Sequence, residues 1–203
     1  MTESTSHRAG HPGLARPGLE ELDELTLLRA RRGDEAATRA LFDRYKEPVF
    51  RFLWRMLGRQ ASSAVVEDLT QDTFLRGFAA LDRFAPDGPA RLSTWLLAIA
   101  ARLALNELRR QRRRGGTATV ELDDSLRGSG RTDEAAERRA IGARIAQELE
   151  RLSPEHRAVF VLRDYHDLSY QEIAQALDVE LGTVQSRLSR ARAALRIALE
   201  DCR

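Results

Sequence analysis

The chain has 203 residues, a length that fits one large domain or two small ones. Its 33 Lys and Arg nearly balance 31 Asp and Glu for a net charge of +2, and an aromatic content of 6% argues against one big core. The single cysteine, Cys202, excludes a disulfide framework and a thiolate metal site, and no apolar run approaches the roughly 18 residues of a membrane span.

The first stretch, "MTESTSHRAGHPGLARPGLEE", lacks the apolar centre of a secretory signal, and residues 1–20 read as a disordered tail. A short helix follows over 22–32, ended by Gly33, with Asp34 placed to cap the next one. In "ALFDRYKEPVFRFLWRML" the residues Leu41, Tyr45, Val49, Phe52 and Met56 share one face, and Pro48 is expected to bend that helix or break it. Gly58 to Ser63 reads as a loop. The next helix covers Ala64 to Leu81, with Val66, Leu69, Thr73, Phe74, Phe78 and Leu81 inward. "DRFAPDGPARLS" is a loop by its Pro and Gly content. It leads into a long helix from Thr94 to about Arg113, with Leu96, Ile99 and Leu103 inward. Trp95, near its start, is expected in the core rather than as a stacking platform.

Residues 115–134 are polar, glycine-containing and without period, which predicts a flexible linker. Beyond it Ile141, Ile145, Leu149 and Leu152 mark a helix, and Ser153-Pro154 caps and starts another. The chemistry concentrates in "LSYQEIAQALDVELGTVQSRLSRARAAL". Ser169 and Glu172 form a capping box ahead of Ile173, Ala174 and Leu177. After a tight turn, Val184, Leu188, Ala191 and Leu195 make an apolar stripe, while Gln185, Ser186, Ser189 and Arg190 face outward. No acid occurs from Leu181 until Glu200. Two short helices with such an outer face describe a helix-turn-helix whose second helix enters the major groove. Gln185 suits adenine, Arg190 suits guanine or phosphate, and Arg187, Arg192 and Arg196 suit phosphates or the domain edge.

In the first half, Arg102, Asn106, Arg109 and Arg113 recur at spacings of four, three and four and end in "RRQRRR", a polar stripe fit for a nucleic-acid backbone. Asp68, Gln71 and Asp72 share an outward helix face.

These segments resemble the extracytoplasmic-function (ECF) sigma factors, the promoter-specificity subunits of bacterial RNA polymerase. "LSPEHRAVFVLRDYHDLSYQEIAQALDVELGTVQSRLSRARAALR" looks like their region four. "GDEAATRALFDRYKEPVFRFLWRML", "VEDLTQDTFLRGFAALDRF" and "STWLLAIAARLALNELRRQRRR" look like region two in its usual order. The resemblance covers roughly residues 22–114 and 135–197 and implies an all-α fold. Its two small helical domains are region two over 21–114 and a region-four helix-turn-helix over 135–203. It also implies an alternative sigma factor that binds core RNA polymerase and directs initiation at −10 and −35 promoter elements. Asp68, Gln71 and Asp72 match the positions that bind the clamp of the β′ subunit. Arg91, Arg102, Asn106, Arg109 and Arg113 match the −10 surface. Thr183, Gln185, Ser186, Arg187, Ser189 and Arg190 match the −35 surface. The implied partners are core polymerase (clamp and β flap), promoter DNA and an anti-sigma factor. No cofactor, metal, small-molecule substrate or membrane insertion is implied, and the location is cytoplasmic.

Four positions depart from the family pattern: Arg102 stands where Asn is usual, Leu92 where an aromatic is common, Gln185 where a basic residue is common and Asp178 at a glycine turn position. Arg102 and Leu92 leave open a degenerate sigma-like protein that binds polymerase or an inhibitor without initiating. A stand-alone helix-turn-helix regulator is the other alternative, although the first half lacks a phosphoacceptor strand-and-aspartate pattern. Catalysis has little support. His156, Asp164, His166 and Asp167 show no metal spacing, and there is no phosphate-cradling loop or nucleophile elbow.

Overall fold

The computed structural model describes residues 21–86, 88, 90–115 and 133–200. The tail over 1–20 and the linker acids Glu121, Asp123 and Asp124 lie outside them. Every regular element among the described residues is helical.

The first lobe contains α1 (Glu24–Arg31), α2 (Glu35–Leu57), α3 (Ser63–Ala79) and α4 (Leu92–Arg113). Each of the first three starts on a side-chain cap: Asp23 accepts from Thr26 N, Asp34 from Ala37 N and Ser62 from Val65 N. Gly33 sits at φ +79° between α1 and α2, a left-handed corner that glycine takes without a steric penalty. The α2 face expected from the sequence is the observed one, with Leu41, Tyr45, Val49, Phe52 and Met56 all buried. Pro48 does not break it, and α2 runs through as one helix. Pro48 has no N–H to offer the turn before it, and Arg44, four residues earlier, is exposed at a cleft and not sealed in the core. Trp95 is half-buried and packs against the core through Phe84, with ring centroids 5.4 Å apart. Ile99 is only half-buried, between a buried Leu96 and a buried Leu103.

The second lobe contains α5 (Asp133–Arg151), α6 (Pro154–Phe160), one π turn (Val161–Tyr165), α7 (Tyr170–Leu177) and α8 (Leu181–Glu200). Ser153 caps α6 with Pro154 at its first position. The stripe marking α5 is partly wrong in its exposure. Leu149 and Leu152 are buried, but Ile141 is 49% exposed, because only the C-terminal end of α5 lies against α8 and the first lobe.

The low aromatic content predicts separate cores, and here the structure differs. One contiguous apolar cluster runs from Phe52, Leu53 and Met56 of α2 into Ala158, Val159, Leu162, Leu168 and Ile173 of the second lobe. It is built mostly of aliphatic side chains, which interdigitate across the seam without needing large rings. Polar contacts then fix the docking. The Arg157 guanidinium is 1% exposed and donates to four carbonyls: Leu149 O (2.7 Å), Glu150 O (2.6 Å) and Leu152 O (3.4 Å) in its own lobe, and Met56 O (2.5 Å) at the end of α2. Those carbonyls sit at or just past the C-terminal ends of α2 and α5, where helices leave acceptors unpaired and the macrodipole favours a cation. Burial pushes the Arg157 pKa down to about 10, so the group stays charged at neutral pH. Beside it, Glu150 accepts from Arg59 N at 2.9 Å and lies against Gly58, where a Cβ would come within 2.6 Å of the Glu150 carboxylate. Arg55 stacks over the Tyr165 ring at 4.2 Å, and Thr94 Oγ1 donates to Glu172 Oε1 at 3.1 Å.

Candidate nucleic-acid interface

Helix α8 carries the surface singled out above. Val184, Leu188, Ala191 and Leu195 are all buried, and Gln185, Ser186, Ser189 and Arg190 are all exposed. Thr183 and Arg187 are half-buried at the edges of that face. The presentation is built locally. Ser169 accepts from Glu172 N while Glu172 accepts from Ser169 N at 2.8 Å, completing the capping box that starts α7. Asp178 ends α7 in the left-handed conformation, φ 54° and ψ 55°, so an aspartate does serve at that turn. Gln185 and Ser189 border a depression shared with Tyr170, Leu188, Arg192, Ala193 and Arg196. The small Ser189 and Ala193 keep part of its floor low. His156 of α6 reports the local field: burial first, then the charges of Arg190 and Arg187, hold its pKa below the usual histidine value. Arg192 is tied to the domain edge by an ion pair with Asp164 at 2.9 Å.

Glu172 has a second partner that no local pattern announces. Its carboxylate is worked on by burial, which raises the pKa. Hydrogen bonds from Ser169 and Thr94 and the nearby charge of Arg91 outweigh this and hold the pKa below the ordinary 4.5. A depressed folded-state pKa gives stability that is present above the unfolded value and lost as pH falls through the folded one. Glu172→Gln is therefore expected to flatten the acid limb of the stability profile between about pH 5 and pH 3, where the unaltered protein loses this contribution. Denaturant midpoints measured across that range check this, and identical slopes in both proteins would contradict it.

In the first lobe, α4 buries Leu96, Leu97, Ala100, Ala101, Ala104 and Leu108 and exposes Arg102, Asn106, Arg109 and Arg113 along one side. Arg109 Nη1 donates to Asn106 Oδ1 at 3.4 Å, so the stripe is internally linked. Arg91 is exposed at the N-cap of α4 and supplies no side-chain cap. Glu21 takes that role: its carboxylate receives the Ser93 hydroxyl, Ser93 N at 3.4 Å and the Tyr45 hydroxyl at 2.8 Å. Burial raises the Tyr45 pKa, which keeps the phenol a neutral donor. Leu92 is 4% exposed, so its departure from the aromatic pattern is a change inside the core and not at the surface.

On α3, Asp68, Gln71 and Asp72 are exposed on one face. The opposite face buries Val66, Thr70, Thr73, Phe74 and Gly77, with Phe74 edge-on to Phe42 at 4.8 Å. The two buried threonines satisfy their hydroxyls within the helix, on Val66 O and Leu69 O, both at 2.7 Å. Gly77 allows α4 to approach closely, since a Cβ there would lie 2.9 Å from Leu96 Cδ2.

Comparison with known proteins agrees with this layout. The family model "Sigma-70 region 2" matches residues 41–114 and the model "Sigma-70, region 4" matches 142–195. The ECF RNA polymerase sigma-E factor of Escherichia coli is 32% identical over 181 residues, covering 85% of this chain and 92% of that protein. The RNA polymerase sigma-H factor of Pseudomonas aeruginosa is 30% identical, covering 89% and 95%. The chain belongs to the ECF family of RNA polymerase sigma factors.

The fold of this sigma factor also matches solved structures. CnrH, solved in complex with the cytosolic domain of CnrY, aligns with a TM-score of 0.61 at 26% identity over 87% of this chain and 96% of that one. The sigma factor RpoE of Bartonella quintana, solved with the anti-sigma factor NepR, shares the fold with a TM-score of 0.61 at 23% identity over 81% and 98%. In the present structure the sigma factor gathers the sequence-predicted residues into three separate surfaces, on α3, α4 and α8. Between the lobes lies a cleft of about 520 Å³, lined among others by Arg44, Arg51, Arg55, Arg91, Tyr165 and Glu172. Among the described residues no three His, Cys, Asp or Glu side chains converge to hold a metal ion, and no helix is long and apolar enough to cross a membrane. Sequence reasoning missed Glu21, Glu150 and Arg157. Arg157 alone carried a signal, since it falls on the inward face of α6 between Pro154 and Val161.

Proposed function

We propose that this sigma factor binds core RNA polymerase through Asp68, Gln71 and Asp72 and reads promoter DNA through two further surfaces. Arg91, Arg102, Asn106, Arg109 and Arg113 contact the −10 element. Thr183, Gln185, Ser186, Arg187, Ser189 and Arg190 contact the −35 element. The observation that carries the reading is the outer face of α8, which has no acid before Glu200, small Ser186 and Ser189, and exposed Gln185 and Arg190 above a buried stripe. Gln and Arg are the side chains that bind adenine and guanine edges through two hydrogen bonds. The exposed stripe on α4 suits single-stranded phosphates and splayed bases. The work is done in the cytoplasm, where the polymerase and the chromosome are.

The two DNA surfaces cannot both be engaged in the packing described. Elements named −10 and −35 lie about 25 base pairs apart, or roughly 85 Å at 3.4 Å per step. Helix α8 is separated from α4 by little more than α7, about 20 Å at ordinary helix spacings. The lobes must part, and polymerase then fixes their separation so that two weak contacts act together. An anti-sigma factor is a further proposed partner, by analogy with the B. quintana sigma factor solved with the anti-sigma factor NepR.

Gln185→Ala and Arg190→Ala are each expected to weaken −35 recognition by about 1–3 kcal/mol, roughly 5- to 150-fold, without moving the thermal midpoint. Binding of holoenzyme to promoter fragments with single-base changes tests this. Unchanged affinity and base preference in both variants would remove α8 from the promoter.

A further inference from the structure

Leu75 is 65% exposed, the highest value among the large apolar residues described. A lone exposed leucine is ordinary on a protein surface; its position is what distinguishes this one. At about 100° per residue, Leu75 projects within about 20° of Asp68, between Gln71 at about 60° on one side and Asp72 at about 40° on the other. It stands one turn beyond Gln71 and Asp72 on the same face of α3, followed a further turn on by the exposed and small Ala79. The face thus runs from acid and amide to apolar along the helix. α3 packs on α2 and α4 through its other side, so the docking of the lobes leaves this face open.

We infer that Leu75 is the apolar anchor of the polymerase-binding face. It inserts into a socket on a polymerase helix whose adjacent turns present arginine or lysine to Asp68 and Asp72. The inference rests on the proposed role of α3 and adds a residue to it. Charge complementarity orients such a contact and steers encounter, while affinity concentrates in a desolvated anchor rimmed by polar groups. Ala79 is small enough for the partner backbone to approach Leu75 closely, and Asp68, Gln71 and Asp72 supply the rim.

The test is equilibrium binding of the full-length protein to core RNA polymerase, for Leu75→Ala, Leu75→Glu, Leu75→Met and Asp72→Arg, with Leu25→Ala on α1 as an exposed-leucine control. Thermal melts are run alongside. Leu75→Ala is expected to weaken binding about tenfold and Leu75→Glu more than about thirtyfold. Leu75→Met and Leu25→Ala stay within about twofold, and melting is unchanged throughout. If Asp72→Arg loses binding while Leu75→Ala and Leu75→Glu keep it, the anchor is overturned and the role of α3 stands. If neither Asp72→Arg nor the Leu75 variants lose binding, the role of α3 falls and the anchor falls with it. A Leu75→Ala loss accompanied by a lower melting temperature, and shared by Leu75→Met, would make Leu75 a folding residue and overturn the anchor as well.

Discussion

Asp68→Arg combined with Asp72→Arg is expected to lower affinity for core RNA polymerase by at least about a hundredfold and to leave the fold unchanged. Both side chains are exposed on α3, so reversing them disturbs no buried packing. Placing two cations before a basic partner surface costs several kcal/mol through like-charge juxtaposition, and each 1.4 kcal/mol is tenfold. The loss should shrink as salt is raised, because the repulsion is screened over a Debye length of about 8 Å at physiological ionic strength. Binding of labelled protein to core polymerase at two salt concentrations, with a melt of each variant, is the check. Retained affinity at low salt would take α3 out of the polymerase contact.

Arg157→Ala should have the largest effect on stability. It strands carbonyls of Met56, Leu149, Glu150 and Leu152 that now share one guanidinium and leaves a void at the seam. Lost charged hydrogen bonds and unsatisfied acceptors together cost about 3–4 kcal/mol, a fall of about 10 °C in the melting temperature for a chain of this size. Arg157→Lys keeps the charge but concentrates its donors on one nitrogen, so it should recover only part of the loss. Because one of the four acceptors belongs to α2, the substitution should also loosen the docking of the lobes, seen as a larger radius of gyration in solution scattering. A melting temperature within about 1 °C of the unaltered protein would show that this guanidinium does not hold the seam. The same contacts matter for function, since whatever favours the packed form is subtracted from any state in which the lobes lie far apart.

What could be read from the sequence was local. The Ser169–Glu172 capping box, the αL turn at Asp178, the Asp34 cap and the buried stripe of α8 each depend on residues within one or two helical turns, and each is found where expected. The three surface groups are likewise single-helix periodicities. What escaped was the pairing of distant segments. Glu21 meets Tyr45 and Ser93, Arg157 meets Met56, and Glu172 meets Thr94, across separations of 24, 72, 101 and 78 residues. No spacing rule announces such contacts. The shared core was missed because aromatic content is a poor measure of how aliphatic faces pack. Ile141 misled for a related reason: whether an apolar side chain is covered depends on what lies opposite.

The central claim is that this chain, added to polymerase, selects promoters. The most direct measurement mixes the purified protein with sigma-free core RNA polymerase on fragmented genomic DNA and sequences the 5′ ends of the transcripts. Discrete start sites, preceded by two motifs about 25 base pairs apart, are the predicted result. Tight polymerase binding with starts no more focused than those of core enzyme alone would contradict it.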